Sequence, residues 1–439
     1  MFQTMKNAIK IPELKKKLLY TLAILLIYRF GAIIPVPFIN SSAIDFGSNG
    51  SIFDYMNILS GDAFSKATLF ALSISPYITA SIVIQLLCVA IPALERLSKE
   101  GEEGKKKLNS ITRLVTVGLA LLTSFGYYML LDNMSVGTTD ALTSDGKAWY
   151  GMMTIIACHC AGAAIIMWLG EKINEHGIGN GISIILFANI VAGGPQMVVS
   201  LFNTFKDNIQ LIIDGDYMGI LWIALTLLVI ACVCAAVVFV VFITDSERRL
   251  PVQYAKRVVG RKMYGGQSQN LPIKLNMSGV MPIIFSSSII SLPVTIMQFA
   301  GADQEGFWFK LFSPTSALYI ILFFVLIIAF SYFYIAISFN PQEVANNIQK
   351  NGGSITGIRP GRPTAEYITK VLSKVTLMGA LFLSIIAVVP MIANAFSNNA
   401  LSGIAFSGSS LLIVVGVAIE TAREIEAQMT MRHYKGFLE

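Results

Sequence analysis

Charge is what this sequence has least of. Only 13% of its 439 residues are Asp, Glu, Lys or Arg, against about a quarter in a soluble domain, while 54% are hydrophobic and the mean hydropathy is +0.66. A set of water-soluble domains is excluded, and one multi-span membrane domain is the reading. A disulfide framework is lacking too, because Cys88, Cys158, Cys160, Cys232 and Cys234 all lie in apolar runs. No small-residue cleavage site follows the first apolar run, so the basic stretch MFQTMKNAIKIPELKKKLLY leads into a span and is not a removed signal peptide. No carboxylate sits mid-membrane in any run. That counts against a proton-coupled transporter, although a sodium site of carbonyls and hydroxyls escapes the test.

Histidine is scarcer still, with three in the chain. Cys158-His159-Cys160 suggests a metal cluster, but residues two apart on a helix point about 200° away from each other and cannot chelate one ion. Cys232 and Cys234 fail in the same way. His159 has no second histidine in another span to complete a haem site, and His176 and His433 lie in or near cytoplasmic ends, so no Ser/His/Asp set is readable. The run Gly177-Ile178-Gly179-Asn180-Gly181 follows a span and lacks the P-loop lysine, which makes it a turn. No enzyme and no cofactor is expected.

What is present is a series of runs with little internal charge, near 18–38, 76–93, 111–131, 150–170, 182–201, 218–243, 278–299, 316–339, 374–396 and 404–424. They predict an all-α fold of ten transmembrane helices with both ends on one side. Of the 32 Lys and Arg, 27 fall on that side, which the positive-inside rule makes cytoplasmic. Two cytoplasmic loops, 244–277 and 340–374, are long, basic and studded with Gly and Pro. Such loops orient a protein and touch anionic lipid, and two of this length also suggest a docked partner. An external loop at 202–217 divides the chain into halves 1–201 and 218–439, five spans each; opposite topology of the halves is permitted, though no repeat is visible.

One stretch organises the rest, Gly61 to Pro92. The part before Pro76 is too short to cross a core about 30 Å thick at 1.5 Å per residue. Proline lacks an N–H and disfavours helix in the residue before it, so a short re-entrant helix is expected to stop near Ser75 and a second to start at Pro76. Non-helical backbone at that depth belongs inside the bundle. The alternative is an ordinary proline-kinked helix. Arg29 is the one charge deep in a span, about 16 Å in from Leu18. Either it is a functional intramembrane ion or it pairs with backbone carbonyls near the outer end, the reading favoured by the Pro35-Val36-Pro37 turn.

Several stretches resemble the SecY family of bacterial protein-translocation channel subunits: Phe70 to Leu87 (FALSISPYITASIVIQLL), Met167 to Ile184 (MWLGEKINEHGIGNGISI), Tyr254 to Phe285, Asn340-Pro341, Gly357 to Gly361 (GIRPG) and Ser410 to Val414 (SLLIV). They keep their order from end to end of the chain. The resemblance implies a plug near 61–73, with Gly61, Asp62, Ala63, Phe64, Ser65, Lys66, Leu69 and Phe70. It also implies a constriction of Ile74, Ile78, Ile182, Leu186, Ile284 and Ile413, in which Leu186 stands where isoleucine is expected. An aliphatic ring can gate water and ions by dewetting while offering a passing chain no polar group. By the same resemblance, a lateral gate lies between helices 76–93 and 278–299, which carry Gln85, Ser286, Ser287 and Ser288. Docking of the ribosome or of the motor ATPase SecA is implied for Arg248, Arg249, Lys256, Arg257, Arg261, Lys262 and Arg359. Small membrane partners SecE and SecG, secretory and membrane-protein precursors as substrates, and a bacterial cytoplasmic membrane location complete the expectation. A solute transporter of inverted repeats is the rival; it explains the break at Pro76 but not the two basic loops.

Overall fold

The computed structural model describes residues 9–44, 52–132, 135–136, 139–213, 218–254, 257–259, 262–264, 268–299, 306, 311–312, 316–396 and 408–435. Apolar runs become helices because a helix satisfies its own backbone where no water can. In chain order they are α1 (Pro12–Gly31), α2 (Ile52–Ser60), α3 (Ser75–Ala90), α4 (Pro92–Lys99), α5 (Glu102–Asp132), α6 (Trp149–His176), α7 (Gly181–Ala192), α8 (Gly194–Ile213) and α9 (Met218–Asp245). After strands β1 (Glu247–Tyr254) and β2 (Ser268–Lys274) come α10 (Met281–Phe299), α11 (Ala317–Ser338) and α12 (Pro341–Lys350). Strand β3 (Gly353–Ile355), α13 (Arg362–Phe396) and α14 (Gly408–Lys435) close the chain order.

Each of the ten apolar runs holds helix. Among the described residues, five helices are long and apolar enough to cross a membrane, or six if α3 and α4, bent by 103°, form one span. The bend has a local cause: Ile91 is extended before Pro92, which opens α4 at a position where a missing N–H costs nothing. The fifth run divides at Gly193-Gly194-Pro195 into α7 and α8. Helix α8 then continues through much of the expected external loop at 202–217, as far as Ile213. Its apolar residues Val198, Phe202, Phe205, Ile209 and Ile212 recur at helical spacing.

The fold is mostly helical as expected, with strands in loops 244–277 and 340–374 that the expectation lacks. Strands β1, β2 and β3 form an antiparallel sheet in the order β2-β1-β3, with Leu250 opposite Leu271 and Val252 opposite Ile355. Alternation along β1 buries Leu250 and Val252 and exposes Arg249, Pro251 and Gln253, the period-two pattern of a half-buried strand, and Arg248 just before it is exposed as well. With Ile273 and Ile355 they pack on Ile335, Ile348, Ile368 and Leu372 of α11, α12 and α13. Each such side chain removed from water contributes about 1.5–3 kcal/mol, so loops 244–277 and 340–374 form one platform.

The largest buried apolar cluster joins α1, α3, α6, α7, α10, α11 and α14, the elements around the start of α3.

Candidate functional site

Helix α3 starts at Ser75 with Pro76 in its first turn, as the proline demands. The segment before it differs from expectation: 61–74 is a run of turns, and the helix lies one element earlier, in α2. The cause is backbone geometry. Gly61, Asp62, Ala67 and Ser73 have φ of 64°, 69°, 45° and 52°, left-handed values that interrupt a right-handed helix. The segment is nevertheless buried, with Ala63, Phe64, Ala67, Phe70, Ala71 and Ile74 at most 5% exposed. Of the other residues implied as plug, Gly61 is buried, Asp62, Ser65 and Leu69 are half-buried, and Lys66 is exposed.

Buried turns must find partners for their backbone groups outside a regular ladder. Here neighbouring elements supply them. The Leu69 N–H donates to the Ile34 carbonyl at 2.9 Å, and the Tyr127 hydroxyl donates to the Phe64 carbonyl at 2.6 Å. Asn57 donates from Nδ2 to the Asp62 carboxylate at 3.1 Å and accepts from the Ser65 N–H at 3.1 Å. Arg29 donates from Nη1 to the Gly61 carbonyl at 3.4 Å, so this intramembrane charge is paired with backbone. Phe70 stacks on Tyr28, ring centroids 5.4 Å apart. The fit is close enough that a Cβ at Gly31 would meet the Phe70 ring, and one at Gly162 the Leu69 carbonyl.

Sequence reading passes over the residue that ties this segment down. Asn189, wholly buried on α7, donates from Nδ2 to the Leu59 carbonyl at 2.7 Å and to Ser73 Oγ at 3.3 Å, while Ser73 Oγ donates to the same carbonyl at 3.0 Å. A lone amide in the apolar run GISIILFANIVA was the available signal. Also unread is the ion pair of α5 and α6, in which Arg113 reaches both oxygens of the buried Glu171, at 3.0 and 2.7 Å.

The six aliphatic residues belong to one apolar cluster. Ile74, Ile78, Leu186, Ile284 and Ile413 are buried members of the largest apolar cluster, and the half-buried Ile182 packs against it. They come from four helices, since Ile74 caps α3, Ile78 lies on it, Ile182 and Leu186 lie on α7, Ile284 on α10 and Ile413 on α14.

Helices α3 and α10 pack against each other, and the four polar side chains expected at the seam bond within their own helices. Gln85 donates to Ser81 on its own helix at 3.3 Å, Ser286 to the Pro282 carbonyl at 2.6 Å, and Ser287 and Ser288 to the Ile284 carbonyl, each at 2.9 Å. Serine in an apolar helix satisfies itself on the preceding turn in this way. A cavity of about 100 Å³ lies beside the pair, lined among others by Thr79 of α3, Thr123 of α5 and Ser287 and Ser288 of α10.

On the platform Arg248 and Arg249 are exposed on β1, and Arg249 Nε lies 2.7 Å from Glu247. Arg359 is exposed in a tight turn flanked by Gly357 and Gly361, whose φ values of 82° and 99° suit glycine. Arg257 and Lys262 lie on the paired segments 257–259 and 262–264, and Lys256 and Arg261 lie outside the described residues. Burial, with help from Arg423, pulls the Lys274 ammonium at the end of β2 below the ordinary lysine range; Glu247, Asp245 and Glu420 pull the other way.

Comparison with known proteins gives this geometry its setting. The SecY family profile matches residues 68–422. A protein translocase subunit SecY of Streptomyces scabiei is 43% identical over 455 residues, all of both chains, and that of Mycobacterium tuberculosis is 39% identical over 98% of each. Among solved structures, a protein conducting channel superposes with TM-score 0.68 at 17% identity, over 94% of this chain and 92% of that one. Sec61 in the canine ribosome–channel complex gives 0.64 at 16% identity, with the same coverage. In fold and in sequence along its whole length, the chain belongs to the SecY family of protein translocase subunits.

Proposed function

We propose that this chain forms the pore of a protein translocase in the bacterial cytoplasmic membrane, passing unfolded secretory polypeptides across it and releasing hydrophobic segments sideways into lipid. In this reading ten helices span the bilayer with both termini cytoplasmic, in two five-helix halves of opposite topology. Ile74, Ile78, Ile182, Leu186, Ile284 and Ile413 form the constriction, and α2 with the turns 61–74 forms the plug. The seam between α3 and α10 is the lateral exit. The platform bearing Arg248, Arg249 and Arg359 receives the ribosome or SecA, and SecE and SecG complete the membrane complex.

The observation that carries this is the presence of six aliphatic side chains from four helices in one apolar cluster that also holds Ala63 and Phe70 of the buried, non-helical segment. Such a ring seals by dewetting, and turns can be withdrawn without unwinding a helix. The chain offers no nucleotide-binding motif, so energy must come from a partner or from chain elongation. Full-length relatives at 43% and 39% identity weigh against the solute-transporter reading.

The test is reconstitution in vesicles with the membrane partners, with and without the motor ATPase. ATP-dependent protection of a secretory precursor from external protease is expected. Uptake of a small solute down an ion gradient, with no precursor protected, would overturn the proposal.

A further inference from the structure

Helix α10 carries Ile284 and the serines beside the cavity, and its entry approaches α14 closely. The chain enters it through Gly279 at φ 62°, a left-handed value. A Cβ there would collide with the Glu420 carboxyl on α14. One turn earlier on α14, a Cβ at Gly416 would collide with Val280. The two close approaches share a face of α14, because residues four apart on a helix lie one above the other.

Into this contact Glu420 brings its carboxyl group, which lies against Gly279. Burial disfavours its charged form, and the Val280 backbone amide and the positive charges of Arg423 and Lys274 favour it. Arg423 is itself held by the Thr244 carbonyl at 2.7 Å and by Asp245, at the end of α9. The N-terminus of a helix presents unpaired N–H groups and a partial positive charge, so a carboxylate there is favoured. Away from its start α10 is held differently. Its serines bond their own helix, the cavity opens beside Ser287 and Ser288, and Pro293 interrupts its ladder.

We propose that Glu420 is a positioning residue for the lateral exit: its carboxylate pins the start of α10 to α14, so that α10 swings about a fixed base when the seam with α3 parts. The exit rests on the channel reading above; the pin is a matter of geometry and can be measured apart from it. Removing the carboxylate frees the base, widens the resting seam and lowers the hydrophobicity that a signal segment needs to open it.

The experiment uses the complete translocase in liposomes, with the native cysteines replaced and spin labels at Thr79 and Ser288, which line the same cavity from α3 and α10. Pulsed electron-spin resonance reads the distance without substrate in the parent and in Glu420→Ala, Glu420→Gln and Gly279→Ala. The parent is expected to give one narrow distribution and Glu420→Ala a broader, longer one. Glu420→Gln should fall between, because its amide oxygen still accepts from Val280 but carries no charge. Export of a precursor with a weakened signal should rise at least about fivefold in Glu420→Ala, a coupling of ordinary size, while export with a strong signal stays near the parent's. If Glu420→Ala does not accumulate, the near-isosteric Glu420→Gln and the collision at Gly279→Ala carry the comparison. The parent's distance distribution in every variant that accumulates would overturn the pin. A parent complex that exports nothing would overturn the channel reading and leave the distances to decide on the pin.

Discussion

The side-chain amide of Asn189 donates to the backbone carbonyl of Leu59 at 2.7 Å, joining the middle of α7 to the end of α2. Asn189 is wholly buried, and without its amide the carbonyl keeps only the Ser73 hydroxyl, which donates to it at 3.0 Å. The loss of one such bond costs about 0.5–1.5 kcal/mol. Asn189→Leu is expected to loosen α2 and the turns after it, raising ion conductance of the resting channel in planar bilayers and exposing a cysteine at Phe64 to thiol reagents. A variant as tight and as protected as the parent would show that this bond does not hold the segment.

The proposed constriction makes a second prediction. Ile78 and Ile413 are 3% and 1% exposed, in one apolar cluster. Asparagine at either position demands hydrogen-bond partners that water can supply, which wets the ring. Resting channels of Ile78→Asn and Ile413→Asn should conduct ions where the parent does not. Conductance equal to the parent's would remove these positions from the pore.

A third concerns the exposed turn at Arg359. Reversing its charge leaves a like-charged or unpaired group at any acidic docking surface, at a cost of several kcal/mol. Arg359→Glu should lower motor-driven export at least tenfold while the protein still accumulates in the membrane, read by precursor protection against immunoblot. Parent-level export would mean that the turn does not dock the motor.

The self-satisfied serines of α10 lead to a fourth. Because Ser287 bonds its own helix, Ser287→Ala removes no contact with α3 and should cost under about 1 kcal/mol of stability. Joining the helices covalently is another matter. With native cysteines removed, a direct disulfide between cysteines near Gln85 and Ser287 should stop export and insertion, and a long flexible cross-linker should restore both. Full activity with the short bond in place would put the exit elsewhere.

How much of this was legible in the residues can be judged element by element. Pro76 marks the start of α3 because a missing N–H and a fixed φ act locally, and local effects show in sequence. The failure just upstream is as instructive. Gly61 signals a left-handed turn, but Ala67 and Ser73 adopt positive φ only because packing against α1, α5 and α6 imposes it, and no residue type announces that. The helix was therefore placed on the turns and α2 was missed. Strand β1 escaped notice because Pro251 interrupts a short alternation that gains meaning only when β2 and β3 pair with it. The aliphatic ring is invisible to pattern alone, since Ile284 and Ile413 look like any packing residue; the resemblance singled them out. Asn189 was visible as a polar residue in an apolar run, whereas what it bonds depends on a segment 130 positions away.

The three-stranded sheet has a mechanical meaning. Strand β3 continues into the Arg359 turn, β1 is paired to both β3 and β2, and β2 ends at Lys274 shortly before the seated glycine that opens α10. Lateral hydrogen bonds tie the two loops into one ribbon that runs from the Arg359 turn to the residues leading into α10, so a displacement at the turn is shared along it and neither loop responds to a load by itself.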